Sequence, residues 1–126
     1  MANKVNNSEK APAAIGPYSH SIQHDNMLFV SGQLGIDPAT GDLKETVREQ
    51  AIQGFENFKA IIEEAGFTFS DVVKTTVFLT TMDNFAEVNE VYSQYFTDWE
   101  PARSAIAVAA LPKGGLFEME AILVRD

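Results

Sequence analysis

The clearest structural signal in the chain is the stretch TVREQAIQGFENFKAIIEEAG, residues Thr46–Gly66. Thr46 and Glu49 have the spacing of a helix capping box, in which each side chain accepts a hydrogen bond from the other residue's backbone N–H. Apolar residues then recur every three or four positions, as on the buried stripe of a helix. This stripe consists of Ala51, Phe55, Phe58, Ile62 and Ala65. Gly66 stands where a left-handed C-terminal cap belongs, so we predict a helix over Thr46–Ala65.

Strand and helix signals continue on both sides of this stretch. We predict, in chain order, strands Tyr18–Ile22 and Met27–Ser31, the helix Thr46–Ala65, strand Val72–Leu79, helix Asn84–Phe96, and strands Ala102–Ala109 and Leu116–Val124. The order β-β-α-β-α-β-β predicts an α+β fold, in which one sheet carries both helices on the same face. The opposite face would then lack a cover, which makes an oligomer plausible.

Two local details of these elements are also predicted. In the strand Val72–Leu79, alternation places one set of residues on a common face. This set is Val73, Thr75, Val77 and Leu79. Asp83, just before the second helix, is of a type that caps helix N-termini, and we expect it to do so.

Length and composition exclude several classes of protein. The 126 residues predict one domain, 1–126, with 1–10 as a flexible N-terminal segment. The chain has no cysteine, so disulfides and thiolate catalysis are excluded. The net charge of -9 and the scattered basic residues argue against nucleic acid as a partner. Because we find no signal peptide and no apolar run of about 20 residues, we expect no membrane association. The absence of cysteine fits a cytoplasmic location, which we expect.

Arg103 is the first candidate for a functional residue. It lies in a strand so apolar that we expect the strand to be largely buried, and a buried guanidinium needs a partner. One interpretation is that Arg103 binds a substrate carboxylate through two parallel hydrogen bonds. The other is that it forms a structural salt bridge or lies on an exposed strand edge. Spacing leaves both open.

Glu118 and Glu120 form a second candidate pair. They alternate with apolar residues, so both point to the same face of a strand. A partly covered carboxylate can have a raised pKa and act as a general acid or base. The alternative is that both are solvated residues of an open face. The pattern does not say which of the two would act.

Tyr18, Ser31 and Asn89 are weaker candidates. Tyr18 and Ser31 lie near chain reversals, and Asn89 lies in the middle of the second predicted helix; each fits a structural role when taken alone. His20 and His24 are four residues apart in a predicted strand or turn, where that spacing does not converge on a metal as it would on a helix. We therefore predict no metal site. The sequence also contains no dinucleotide-binding fingerprint and no complete phosphate-binding loop, so we predict no cofactor site.

Several segments resemble the RidA family of imine deaminases, also called the YjgF family. They are Ala13–Tyr18 (AAIGPY), Ser31–Gln33 (SGQ), Val73–Leu79 (VKTTVFL), Phe85–Asn89 (FAEVN), Pro101–Ser104 (PARS), Leu111–Lys113 (LPK) and Phe117–Glu120 (FEME). The resemblance extends from about Ala11 to the C-terminus. It implies a chorismate-mutase-like (bacillus-type) α+β protomer, assembled as a homotrimer with clefts between subunits.

The resemblance also implies an activity and a site. The activity is that of a cofactor-independent 2-iminobutanoate/2-iminopropanoate deaminase, which hydrolyses enamines and imines such as 2-aminoacrylate to 2-keto acids and ammonia. Arg103 would hold the substrate carboxylate and Glu118 would position water. The positions that would line the cleft are Tyr18, Ser31, Gly32 and Asn89. Ala105 stands where some active members have a cysteine, and we expect hydrolysis to survive this difference.

Two rival functions remain open at the level of sequence. A protein of the same fold could be a non-catalytic binder of small ligands, a regulatory module or a chaperone, in which case Glu118 would matter little. It could also be an endoribonuclease, which would need a basic groove; the charge of -9 and the presence of only two histidines argue against this.

Overall fold

The computed structural model describes residues 3–126, which form one six-stranded sheet and two α-helices. The elements are β1 (Lys4–Asn6), β2 (Ser21–His24), β3 (Met27–Leu34), α1 (Val47–Glu64), β4 (Val72–Leu79), α2 (Phe85–Tyr95), β5 (Ala102–Ala107) and β6 (Phe117–Val124). The strands lie in the order β1-β2-β3-β6-β4-β5, and all neighbours are antiparallel except β4 and β5. The α+β prediction is confirmed.

Helix α1 begins and ends within one residue of the predicted helix, Thr46–Ala65. Thr46 Oγ1 accepts a hydrogen bond from the Glu49 N–H at 3.1 Å, and Glu49 Oε1 accepts one from the Thr46 N–H at 3.2 Å. These reciprocal bonds are the predicted capping box. Gly66 follows the helix with a φ of 83°, in the left-handed region that glycine adopts most readily.

The core lies between the two helices and one face of the sheet. In β6 the side chains of Phe117, Met119, Ala121 and Leu123 alternate into this core. Phe55 of α1 joins the layers, since its ring lies 4.5 Å from the ring of Tyr95 in α2 and 6.0 Å from that of Phe117. Burial of such a phenylalanine contributes roughly 1.5–3 kcal/mol.

One of the four residues predicted to share a face of β4, Val73, does not lie on it. Thr75, Val77 and Leu79 are buried as expected, but Val73 is 42% exposed and Val72 is buried instead. The pairing of β4 with β6 shifts register between Val72 and Lys74. Such a bulge inserts one residue and reverses the alternation on one side of it.

The predicted cap of α2 is also wrong. Asp83 lies inside a short 3₁₀ turn, Met82–Asn84, which precedes the helix. The cap of this turn is Thr81, whose Oγ1 accepts a hydrogen bond from the Asp83 N–H at 3.2 Å. Because this extra turn precedes the helix, the capping side chain is that of Thr81, two residues before the predicted Asp83.

The N-terminal part of the chain contains a strand that was not predicted. Lys4–Asn6 pair with residues of β2, so the prediction of a flexible segment over 1–10 is wrong for this strand; residues 1–2 lie outside the described part. His20 fixes the segment further, because its Nδ1 accepts from the Ser8 N–H and its Nε2 lies 2.7 Å from the Pro12 carbonyl.

Strand ends differ from prediction by a few residues. The strand predicted over Tyr18–Ile22 is β2, Ser21–His24, while β3 continues past Ser31 to Leu34, and β5 ends at Ala107 rather than Ala109. Within residues 3–126, no helix combines the length and apolarity needed to cross a membrane.

Candidate active site

Arg103 lies on the exposed edge strand β5, so the prediction of a largely buried strand is wrong there. Its Nη1 donates a hydrogen bond to Asn89 Oδ1 of α2 at 2.7 Å. Its guanidinium carbon lies 4.7 Å from the ring centroid of Tyr92 and 5.4 Å from that of Phe85, within the range of cation–π attraction. Among residues 3–126, Arg103 forms no salt bridge. Its charge is therefore positioned by neutral groups.

The aromatic surface under Arg103 is itself held in place. The Tyr92 hydroxyl and Thr75 Oγ1 share a buried hydrogen bond of 2.8 Å, and burial raises the pKa of Tyr92. Arg103 pairs with Thr75, and Ala105 pairs with Val77, across β5 and β4. Since Thr75 and Val77 are buried on the helix side of the sheet, Arg103 and Ala105 lie on that side too.

Glu118 lies on the opposite face of the sheet. Its neighbours in β6, Phe117 and Met119, point into the core, so alternation directs Glu118 away from the helices. The side chain is half-buried, and this burial raises the pKa of Glu118, with a smaller contribution from the nearby charge of Glu120. A carboxyl with a raised pKa exchanges protons near neutral pH more readily than an ordinary glutamate.

A bulge in β3, which contains Ser31 and Gly32, brings Gly32 against Glu118. The pairing of β3 with β6 shifts register between Val30 and Gln33. Ser31 is tied down on its other side, because its Oγ donates to the Ser19 carbonyl at 2.7 Å. A Cβ atom added to Gly32 would lie 2.6 Å from Glu118 Oε2, closer than non-bonded atoms approach. The glycine therefore makes room for the carboxylate.

Glu118 opens into a cavity of about 500 Å³, large enough for a small metabolite. Tyr18, Ser31 and Gly32, three of the predicted site residues, are among the residues that line it. Tyr18 is about half exposed, and its hydroxyl accepts a hydrogen bond from the Ile15 N–H at 3.4 Å. Glu120, the other glutamate of the candidate pair, lines the cavity too. The lining residues that sequence reasoning did not single out are Pro12, Ala13, Ile15, Gln33, Leu34, Ile36, Pro112 and Lys113. Most of them lie in or beside the AAIGPY, SGQ and LPK segments. The resemblance of these segments to the family was the sequence signal that could have identified them.

The predicted site residues fall into two groups that do not meet within one chain. Arg103 and Asn89 line a second cavity, together with Tyr92, Ser93, Phe96, Glu100 and Pro101, and none of these residues lines the cavity of Glu118. The two groups lie on opposite faces of the same sheet. A site containing both Arg103 and Glu118 therefore requires a second copy of the chain.

Histidine and carboxylate clusters offer no alternative centre in the described part of the chain. Residues 3–126 contain no group of three or more His, Asp or Glu side chains placed to hold a metal ion. Both ring nitrogens of His20 are occupied by backbone groups, and His24 lies beside Asn3 and Asp25 at the surface.

Fold and site together define a small α+β protein with a carboxylate in a metabolite-sized cavity and a separate arginine at the sheet edge. A family model described as Endoribonuclease L-PSP matches residues 8–125. The chain belongs to this family, the YjgF/RidA family, and the resemblance noted from its motifs is confirmed.

Individual relatives cover nearly the whole chain. The 2-iminobutanoate/2-iminopropanoate deaminase of Bos taurus is 49% identical over 99% of this chain and 92% of its own. The crystal structure of RidA from the Antarctic bacterium Psychrobacter sp. PAMC 21119 has a TM-score of 0.94 and is 48% identical, covering 97% of this chain and 99% of its own. The structure of E. coli TdcF with bound serine also has a TM-score of 0.94, at 43% identity over 98% of this chain and 99% of that one.

Proposed function

We propose that this protein is a 2-iminobutanoate/2-iminopropanoate deaminase. In this proposal it hydrolyses enamines and imines such as 2-aminoacrylate to 2-keto acids and ammonia, without a cofactor. We further propose a homotrimer in which Arg103 of one subunit and Glu118 of the next share a cleft. The absence of cysteine suits a reducing compartment, and we propose that the protein acts in the cytoplasm.

The observation that carries the proposal is the environment of Glu118. A half-buried carboxyl with a raised pKa, facing a metabolite-sized cavity, is suited to moving protons in hydrolysis. The mammalian relatives of similar length that bear the deaminase name support the same activity. Arg103 adds a guanidinium free of salt bridges within residues 3–126, which suits an anionic substrate.

The uncovered face of the sheet supports the assembly. On this face Phe29 of β3 and Ile106 of β5 are 42% and 46% exposed, and Ile122 of β6 is only partly buried. Apolar side chains at this density on a sheet face are typical of an interface. A cyclic assembly would cover the face and bring the Arg103 edge of one subunit towards the Glu118 cavity of its neighbour.

The proposed mechanism uses two charged side chains and one water. The substrate enamine first tautomerises to an imine. Arg103 binds its carboxylate, a contact worth on the order of 1.5–3 kcal/mol. Glu118 accepts one proton from the water as the water oxygen bonds to the imine carbon, and it passes this proton to the imine nitrogen, which gives an amino alcohol. Glu118 then takes the hydroxyl proton and delivers it to the nitrogen as the C–N bond breaks, so that ammonia leaves and the keto acid remains.

An ammonia-release assay on freshly generated 2-aminoacrylate tests this proposal. The wild-type protein is expected to accelerate pyruvate formation, and Arg103→Ala to lose most of the acceleration. Glu118→Gln should still bind the product pyruvate but turn over roughly 10²–10⁴-fold more slowly. Absence of acceleration by the wild type would refute the deaminase proposal.

A second candidate function is ligand binding without catalysis. The observation that favours it is the structure of the relative TdcF with bound serine, a small carboxylate. In that case Arg103→Ala should abolish binding of small carboxylates, while Glu118→Gln should leave the affinity for them unchanged.

The family description also names endoribonuclease activity. A net charge of -9 argues against it, because RNA binding depends on clustered basic residues. Cleavage of RNA by the purified protein, abolished by Arg103→Ala or Glu118→Ala, would establish that activity instead.

A further inference from the structure

Lys113 is held in an unusual backbone conformation beside the Glu118 cavity. It lies between Pro112 and Gly114 in the loop from β5 to β6, with φ 58° and ψ 19°. Among residues 3–126, the other non-glycine residue with a positive φ is Asp25, in the tight turn between β2 and β3. A side chain in this region crowds the following carbonyl, so glycine or asparagine would adopt it more easily than lysine.

The surrounding structure fixes this conformation. The Gly114 N–H donates to the Leu111 carbonyl at 3.2 Å, and the Gly115 N–H donates to the Pro112 carbonyl at 3.0 Å. Just beyond the loop, the Leu116 N–H donates to Oε1 of the buried Gln50 at 2.8 Å. A strained residue that its neighbours hold in place often has a functional side chain.

The charge of Lys113 contrasts with that of its surroundings. Glu118 and Glu120 line the same cavity, and Lys113 is the one basic side chain that lines it among the described residues. Within residues 3–126 its ammonium group forms no hydrogen bond or salt bridge. The chain as a whole carries a net charge of -9, which repels anions on average, so a cation in the lining of this cavity would attract them locally.

We propose that Lys113 captures the substrate: its ammonium group attracts the carboxylate of the imine to the cavity entrance, and Arg103 then binds it. This inference rests on the proposed deaminase function. Lys113 is a positioning residue, because it brings the anion to the site without taking part in bond making or breaking. The positive charge of the Lys113 ammonium group favours small carboxylates over neutral molecules of the same size. The loop keeps a lysine in the lining of the cavity at a position where glycine would supply the same backbone geometry but no charge.

The test compares Lys113→Asn with Lys113→Arg in the hydrolysis assay at low and high ionic strength. Asparagine tolerates the left-handed backbone, so Lys113→Asn removes the charge while keeping the loop. At low salt we expect a three- to fivefold rise in KM for Lys113→Asn, roughly the effect of one exposed ion pair, with kcat unchanged. At about 0.5 M salt the difference should largely disappear. Lys113→Arg should behave like the wild type.

The matched control is Lys59→Asn, which removes an exposed lysine from α1, outside the set of residues lining the cavity. It carries the same charge change and should leave KM unaltered. The proposal is overturned if Lys113→Asn has the wild-type KM at low salt, if its effect lies in kcat, or if the effect persists unchanged at high salt.

Binding of 2-oxobutanoate, measured by calorimetry at the same two salt concentrations, separates this inference from the proposed function. If the wild type binds the keto acid but hydrolyses no imine, the deaminase proposal fails, and a salt-dependent weakening by Lys113→Asn still supports capture. If the wild type does not bind the keto acid, or if Lys113→Asn binds it equally well, capture by Lys113 is refuted.

Discussion

At the scale of single residues, the geometry around Glu118 links its proposed catalytic role to the stability of the fold. Burial raises its pKa above the ordinary value of 4.5, so the folded protein binds this proton more tightly than the unfolded chain does. The stabilisation from protonation is fully present below pH 4.5 and is lost as the pH rises through the raised pKa. The ionised form of Glu118, which the proposed mechanism uses, is therefore a destabilising group.

Glu118→Gln tests this trade-off. The substitution keeps the shape of the side chain and removes its charge, so we expect a higher melting temperature than wild type at pH 7 and no such gain below pH 4.5. Thermal unfolding at the two pH values measures this, with Glu63→Gln, an exposed glutamate of α1, as the control. A Glu118→Gln variant that is less stable than wild type at pH 7 would contradict the assignment of a desolvated carboxylate.

Gly32→Ala tests the contact between the bulge of β3 and the carboxylate. The new Cβ would lie 2.6 Å from Glu118 Oε2, and the flexible end of the glutamate can yield more easily than the strands. We expect kcat to fall roughly 10–100-fold, because a displacement near 1 Å is enough to cost that much. The melting temperature should change little. Wild-type kcat in this variant would show that the position of Glu118 is not critical.

At the scale of elements, the capping signals of α1 were predicted correctly, whereas the Asp83 cap of α2 and the features that depend on strand pairing were not. Thr46, Glu49 and Gly66 specify α1 through contacts within a few residues, so its bounds followed from sequence. Val73 was misassigned because its bulge arises from pairing with β6, which is far along the chain. Arg103 was expected in a buried strand, but the sheet order makes β5 an edge, and no local pattern encodes that order.

Thr46→Ala tests the contribution of the capping box. Loss of the Thr46 Oγ1 acceptor leaves the Glu49 N–H without its partner, so we expect the free energy of unfolding to fall by about 1 kcal/mol. Denaturant unfolding measures this, and the rate of imine hydrolysis should remain that of the wild type. Thr97→Ala, at an exposed threonine beyond the end of α2, should be neutral. Equal stability of the two variants would contradict the role of the cap.

At the scale of the whole molecule, the candidate site is divided by the sheet. Pattern and resemblance identified Arg103 and Glu118 from sequence, and the structure places each on a different face. Alternation along β6 determines which face of the sheet Glu118 occupies. The face that Arg103 occupies depends on the parallel pairing of β5 with β4, which the sequence does not show. The chemistry proposed for these residues therefore depends on assembly: an isolated chain would hold both groups and still lack a complete site.

Subunit mixing tests this central claim most directly. Arg103→Ala and Glu118→Gln chains are each inactive in the proposed mechanism, but a cyclic assembly containing both can place an intact Arg103 opposite an intact Glu118. When the two variants are unfolded together in equal amounts and refolded, random assortment should restore about one quarter of the wild-type sites. Imine hydrolysis near that fraction of refolded wild type, with neither variant active when refolded alone, is the predicted result. A mixture no more active than the separate variants would contradict a site shared between subunits.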